Sequence, residues 1–241
     1  MLEKIDKDVM FVASHGWLTS RFHFSFAEYF NPRNIHFGVL RVLNDDIVLP
    51  SSGFPTHPHK DMEIVSYVVE GELTHKDSMG NAETLSMHNV QYMSAGTGIT
   101  HSEFNENKKL PLRFLQIWIY PNAKNLTPNY GSFKYQKEDF LNTIKHIVSP
   151  IKGKAEVKIN QDANIYASLL EEGTSLSFAL EANRQVYLAV IDGDLRINDM
   201  EVSKYDSVKI LDEVSLNFKA LSDTHFLFIE MANVNFIEDA L

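Results

Sequence analysis

The sequence predicts an all-β protein made of two tandem β-barrels, and three observations predict it. Apolar residues recur at period two, or in short runs bounded by Gly, Pro, Asn and Asp, which is how half-buried and buried strands read. Helical periodicity is scarce. The string Val68-Val69-Glu70-Gly71-Glu72-Leu73 returns 122 residues later as Val190-Ile191-Asp192-Gly193-Asp194-Leu195, half a chain away, as two copies of one β domain would give.

In chain order, strands are expected over 22–26, 37–42, 64–69, 90–93, 112–120, 165–169, 186–191, 207–210, 214–220 and 226–231. Turns such as Ser78-Met79-Gly80-Asn81 and Asn198-Asp199-Met200 separate them. One short helix is expected over 136–147, with Phe140, Ile144 and Ile147 on one side, and a single helical turn over 26–30. Pro128 and Gly131 make 122–135 the natural linker, so the domains are expected over 1–130 and 131–241, each of ordinary size.

Composition narrows the function. At 44% hydrophobic and 22% charged residues the chain folds rather than staying disordered. It has no cysteine, which removes disulfides, iron–sulfur clusters and thiol nucleophiles together. It has ten histidines, so a metal would be held by imidazole, carboxylate, carbonyl or water. The net charge of −10 is spread over both halves with no basic block, against nucleic-acid binding. The N-terminus, charged with both signs, does not read as a signal peptide, and no apolar run approaches the ~20 residues of a membrane span. A cytoplasmic protein without a membrane partner is expected.

Eight of the histidines precede residue 102, so the two halves differ chemically. His57-Pro58-His59 is an H-x-H pair and His101-Ser102-Glu103 an H-x-E pair. On a strand, residues i and i+2 share a face, so each pair offers two ligands in one direction. If the two strands are neighbours, the four side chains converge. About 0.4 H-x-H pairs are expected by chance at this histidine content, so neither pair suffices alone. Glu63, four residues past His59, competes with Glu103 as the carboxylate ligand if the strand continues. His15, His23 and His36 read as local hydrogen-bonding groups, and His75, in a charged hairpin, as solvated. Gln116 is placed to hydrogen-bond a ligand of the metal, and Phe24, Phe26, Phe37 and Phe54 are candidates for an apolar pocket wall.

The arrangement Gly53…His57-x-His59-x3-Glu63…Gly71, then Gly98-x2-His101, resembles the two motifs of the cupin superfamily, whose jelly-roll barrels the two halves would then be. A denser likeness runs from residue 15 to about 121. His15-Gly16-Trp17, His23-Phe24-Ser25-Phe26-Ala27 and Leu40-Arg41-Val42-Leu43-Asn44-Asp45-Asp46 look like the pirin family. So do Thr56-His57-Pro58-His59-Lys60-Asp61-Met62-Glu63, His75-Lys76-Asp77-Ser78-Met79-Gly80 and the run from Met93 to Glu103. His88-Asn89 departs from that family's usual Gly-Asp turn pair and reads as a surface turn.

The resemblance implies that only the N-terminal barrel binds metal, through His57, His59, His101 and Glu103, with Glu63 as an alternative or a hydrogen-bonding neighbour. It implies one divalent transition metal, Fe(II) first, with Mn, Co, Ni or Zn also suited to such ligands. It implies quercetin 2,3-dioxygenase activity: a flavonol-like aromatic loses its 3-hydroxyl proton, Glu103 accepts it, and O2 opens the ring. The family also supports another reading, a metal-bearing redox-responsive regulator that acts on a protein partner. A zinc hydrolase or isomerase using Glu63 as its base is a third. Two barrels in one chain point to a monomer.

Overall fold

The structure, a computed structural model, describes residues 1–233. They form 22 strands and two three-residue 3-10 turns, and divide into two compact units. Of the described residues, one unit takes 11–135 and 157–161; the other takes 1–10, 136–156 and 162–233. The first ten residues therefore join the later half, because β1 (Leu2–Ile5) pairs with β20 (Ser207–Ile210).

The first unit contains β2 (Phe11–Ser14), β3 (Leu18–Phe22), β4 (Leu40–Val48), β5 (Ser52–His59), β6 (Glu63–Glu70), β7 (Glu72–Asp77), β8 (Ala82–Ser86), β9 (Val90–Ser94), β10 (Ile99–Asn105), β11 (Leu112–Ile119) and β12 (Asn129–Phe133). A later strand, β14 (Val157–Ile159), groups with it. Its larger sheet runs β12-β9-β6-β11-β4-β3-β2 and its smaller one β5-β10-β7-β8. Leu18, Val48, Val68 and Phe114 from the larger sheet meet Leu73 and Leu85 from the smaller one, so the core lies between the two sheets. Each such fully buried side chain contributes about 1.5–3 kcal/mol.

The second unit contains β1 and β20 with β13 (Lys145–Pro150), β15 (Ala163–Leu170), β16 (Ser175–Ala179), β17 (Arg184–Asp192), β18 (Asp194–Ile197), β19 (Met200–Ser203), β21 (Ser215–Ala220) and β22 (Thr224–Ala232). Strands β1, β20, β17, β22, β15 and β13 follow one another in one sheet, and β16-β21-β18-β19 form the other. The echo seen in the sequence is structural: β6–β7 and β17–β18 hold the same place in matching strand orders. Gly71 and Gly193 turn the two hairpins with φ of 79° and 82°, where a side chain would be strained.

The expected helix over 136–147 does not form. Lys137–Asp139 is one 3-10 turn, Asn142 has φ 53°, and Lys145–Pro150 is strand β13, paired with β15. Thr143, Ile144, Ile147 and Val148 are β-branched and fit a pleated surface better than a helix, so the helical spacing there is a coincidence of a short window. Nor is 26–30 a helical turn. Phe26 and Tyr29 exchange two backbone hydrogen bonds (3.0 and 2.9 Å) around Ala27 at φ 46°, a tight hairpin. Among the described residues no helix is long and apolar enough to cross a membrane.

Candidate metal centre

Strands β5 and β10 are antiparallel neighbours, and the register sets His57 opposite His101. Two local features permit this. A β-carbon on Gly53 would stand 2.4 Å from the Glu103 carbonyl oxygen and 2.6 Å from Phe104 Cα, so only glycine lets the strands approach there. A register shift between His101 and Glu103, where Glu103 faces Phe54, re-aims the second pair. On its other edge β10 pairs with β7, which sets Glu103 opposite His75 and His101 opposite Asp77.

The rings of His57, His59 and His101 stand 4.5–4.8 Å apart, and each offers a ligand nitrogen within 4.8 Å of the others. His57 Nδ1–H donates to the Pro55 carbonyl (2.8 Å), which leaves Nε2 as a lone pair. That nitrogen lies 3.1 Å from His101 Nε2. Two nitrogens that share one ion at about 2.1 Å each and in adjacent positions stand about 3 Å apart. Burial, then the neighbouring His101 and His57, pushes His59 down to about 3. Burial, then His57 and His75, does the same to His101. Both rings are therefore neutral at ordinary pH, as metal ligation requires.

The carboxylate is held as firmly as the imidazoles. Glu103 is 2% exposed, and three side chains on the facing sheet donate to it. Ser66 Oγ (2.9 Å) and Gln91 Nε2 (3.0 Å) reach Oε1, and Gln116 Nε2 (2.6 Å) reaches Oε2. Ser66, Gln91 and Gln116 are register neighbours on β6, β9 and β11, so the sheet aligns them in one row. Tyr130 Oη, 3.2 Å from Gln91 Oε1, turns the Gln91 amide so that its NH2 faces Glu103. Such charge-assisted bonds fix an anion in a buried place where it would otherwise be costly.

The four expected ligands fall into two groups that share His101. One is His57, His59 and His101; the other is His101, Glu103 and His75. Gln116 hydrogen-bonds Glu103, one of the four expected ligands. Glu63 is elsewhere. Asp61 at φ 49° ends the run from β5, and Glu63 opens β6 in the other sheet, where Ser94 Oγ (2.6 Å) and the Asn160 amide (3.0 Å) donate to it. It belongs to neither group of candidate ligands.

Two histidines differ from expectation. His75 is fully buried rather than solvated: it stacks on Tyr130 (4.6 Å) and its Nε2 lies 3.1 Å from Asp77 Oδ2. The signal was the alternation from buried Leu73, which carries His75 and Asp77 to the same face as that leucine. His88 does occupy a turn, at φ 68°, but is 7% exposed, with Nδ1 3.4 Å from Tyr67 Oη. His15 pairs with Glu28 (2.8 Å) and His36 with the Gly38 carbonyl (3.0 Å), local bonds as expected.

Of the candidate wall residues, Phe24 is fully buried and Phe37 bridges Leu40 in a turn. Phe54 packs edge-on against Trp17. Phe26 leads toward the histidines through an edge contact with Trp118, whose indole in turn lies edge-on to His59 (4.9 Å). The buried Trp118 Nε1–H finds no hydrogen-bond partner among the described residues. A trough of about 540 Å³ lined by Pro58, His59, Lys60, Ser78, Ile99 and Thr100 opens beside His59.

Residues 5–119 match the Pirin family model, and residues 146–231 the quercetinase C-terminal cupin domain. Quercetin 2,3-dioxygenase of Escherichia coli is 39% identical over 222 residues, 92% of this chain and 95% of that protein. A pirin-like protein of Caulobacter vibrioides is 36% identical over 96% of this chain and all of that one. The chain belongs to the pirin family. The crystal structure of YhhW from E. coli superposes with a TM-score of 0.92, at 37% identity, covering 98% of this chain and all of that one. The same bacterial pirin in complex with nickel(II) gives 0.91, covering 97% of this chain. Pirin-family membership agrees with the two-barrel cupin architecture described above, one jelly roll per unit.

Proposed function

We propose that this pirin is a metal-dependent dioxygenase, in which His57, His59, His101 and Glu103 hold one divalent transition metal in the N-terminal barrel. The observation that carries the reading is the convergence of two ring nitrogens, His57 Nε2 and His101 Nε2, to 3.1 Å beside His59, with burial keeping His59 and His101 neutral. The nickel(II) complex of the E. coli pirin supports a divalent ion, and the name of the E. coli relative supports the substrate class, a flavonol such as quercetin. Iron(II) suits the same donors.

When bound, such an ion supplies Lewis acidity toward a substrate hydroxyl and redox chemistry with O2. The chain's own residues do the rest. Glu103 takes the proton of the flavonol 3-hydroxyl, and its amide and hydroxyl donors keep the carboxylate placed to receive it. Ring opening with O2 then releases carbon monoxide. The C-terminal barrel takes no metal in this reading, since apolar side chains fill the corresponding positions.

The test loads the metal-free protein anaerobically with Fe(II), Mn(II), Co(II) or Ni(II), adds quercetin and air, and follows flavonol absorbance and carbon monoxide. Turnover is expected with at least one metal; none with any of them sinks the enzymatic reading. Elemental analysis of His101→Ala should show metal lost, and parent-level metal would overturn the ligand assignment. Glu103→Gln should lower metal content where Glu63→Gln leaves it unchanged.

A further inference from the structure

His75 and Asp77 lie beyond the four proposed ligands, yet both side chains are withdrawn from solvent on the barrel's inner face. Asp77 is built as an acceptor. Its Oδ1 receives the backbone amides of Met79 (2.9 Å) and Asn81 (3.0 Å), and its Oδ2 receives Asn81 Nδ2 (2.9 Å). With both oxygens accepting from N–H donors, the group is held as a carboxylate acceptor. A carboxylate can only accept, so the group it meets 3.1 Å away, His75 Nε2, must carry the proton.

The polarity then passes on. A neutral imidazole with its proton on Nε2 has a lone pair on Nδ1. His75 Nδ1 faces His101 Nδ1 at 3.5 Å, so His101 must in turn be protonated on Nδ1. Its other nitrogen, Nε2, is left bare, and that is the nitrogen 3.1 Å from His57 Nε2. Stacking on Tyr130 holds the plane of the His75 ring, and a flip within that plane would lose the contacts to Asp77 and His101.

We infer that Asp77 and His75 are positioning residues that fix the tautomer of His101, so that its Nε2 lone pair is presented to the metal. The inference rests on the reading of His101 as a ligand. It gives the buried His75 and Asp77 side chains a role in the site, one step removed from the ion, of the kind by which outer partners orient ligating histidines.

Asp77→Asn tests it by reversing the polarity. The two backbone amides keep the side-chain oxygen at the Oδ1 position, which puts the new NH2 opposite His75 Nε2, with the Asn81 amide turning over to offer its oxygen in place of its NH2. His75 must then carry its proton on Nδ1, and His101 on Nε2, where it blocks ligation. Long-range 1H–15N spectra of the metal-free, histidine-labelled full chain should show His101 protonated on Nδ1 in the parent and on Nε2 in Asp77→Asn. Affinity for Zn(II), titrated directly, should fall about 10–100-fold. His75→Phe keeps the stack on Tyr130 without the relay and should lower the affinity as well, which serves if Asp77→Asn folds poorly.

An unchanged His101 tautomer, or parent-level Zn(II) affinity in both variants, overturns the inference. Parent-level affinity in His101→Ala would instead overturn the ligand reading, so the two failures are told apart.

Discussion

The two barrels share one topology and fill it with opposite chemistry. Aligning the repeated hairpins sets Ser66 against Leu188 and His75 against Ile197, and the strand registers carry the comparison across each sheet. The row Gln91, Ser66, Gln116, Asn44 of the first barrel corresponds to Val208, Leu188, Phe228, Tyr166 of the second. In the smaller sheets, Glu103 opposite His75 corresponds to Phe218 opposite Ile197, and His101 opposite His57 to Leu216 opposite Phe178. Each of these polar groups has an apolar or aromatic counterpart. The scaffold needs none of these polar groups to fold. Their presence in one copy is the kind of local departure from a good core that marks a functional site.

If that is so, the second barrel should be the more sensitive to lost volume and the first to lost hydrogen bonds. Phe218, 1% exposed and packed on Phe226 and Phe228, is the place to begin. Phe218→Ala should cost about 3–5 kcal/mol in urea unfolding of the metal-free protein. A cost under about 1 kcal/mol would mean that the second interior is not the close-packed one. Gln116→Leu asks the reverse question in the first barrel, because it nearly conserves volume while removing the 2.6 Å donor from buried Glu103. It should cost about 2 kcal/mol, the range for a hydrogen bond to a charged group. A neutral or stabilising result would show that the polar row does not support the carboxylate.

The same contrast explains what could be read from the sequence. Strands β6, β11, β15, β17 and β22 were legible because apolar residues dominate them. β5, β7 and β10 carry the candidate centre and were absent from the expected strands, since His57, His59, His75, His101 and Glu103 take inward positions that apolar residues hold elsewhere. The ligand pairs themselves were visible through their i, i+2 spacing. Their supports were not, apart from Gln116: Ser66 and Gln91 become donors to Glu103 only through a register that joins residues 37 and 12 positions away. His75 was misread because Lys76 and Asp77 beside it suggested solvent, although Lys76 alone points outward.

A smaller effect separates the barrels by pH. Burial pushes His23, His59 and His101, all in the first barrel, down to about 3. Their ordinary value is 6.5, so between about 6.5 and 3 the unfolded chain binds protons that the folded one refuses. Stability of the metal-free protein should therefore be level above about 6.5 and fall as the pH drops below it. Asp46 opposes this. Burial raises its carboxyl to about 7, so the folded chain holds a proton there that the unfolded one releases down to about 4, a gain on acidification. Burial raises the Glu63 carboxyl as well, which adds to the gain; the three histidine losses still outweigh these gains and leave a net loss of roughly 1 kcal/mol over the first pH unit below 6.5, after allowing for the partial exposure of His59. Urea midpoints from pH 8 to 5 would measure it. His59→Gln removes one of the three losses and should flatten the slope by about a third of the histidine contribution. A midpoint that stays level to pH 5 in the parent would mean that the imidazoles already carry protons in the folded barrel, and that they are not the neutral ligand set their burial implies.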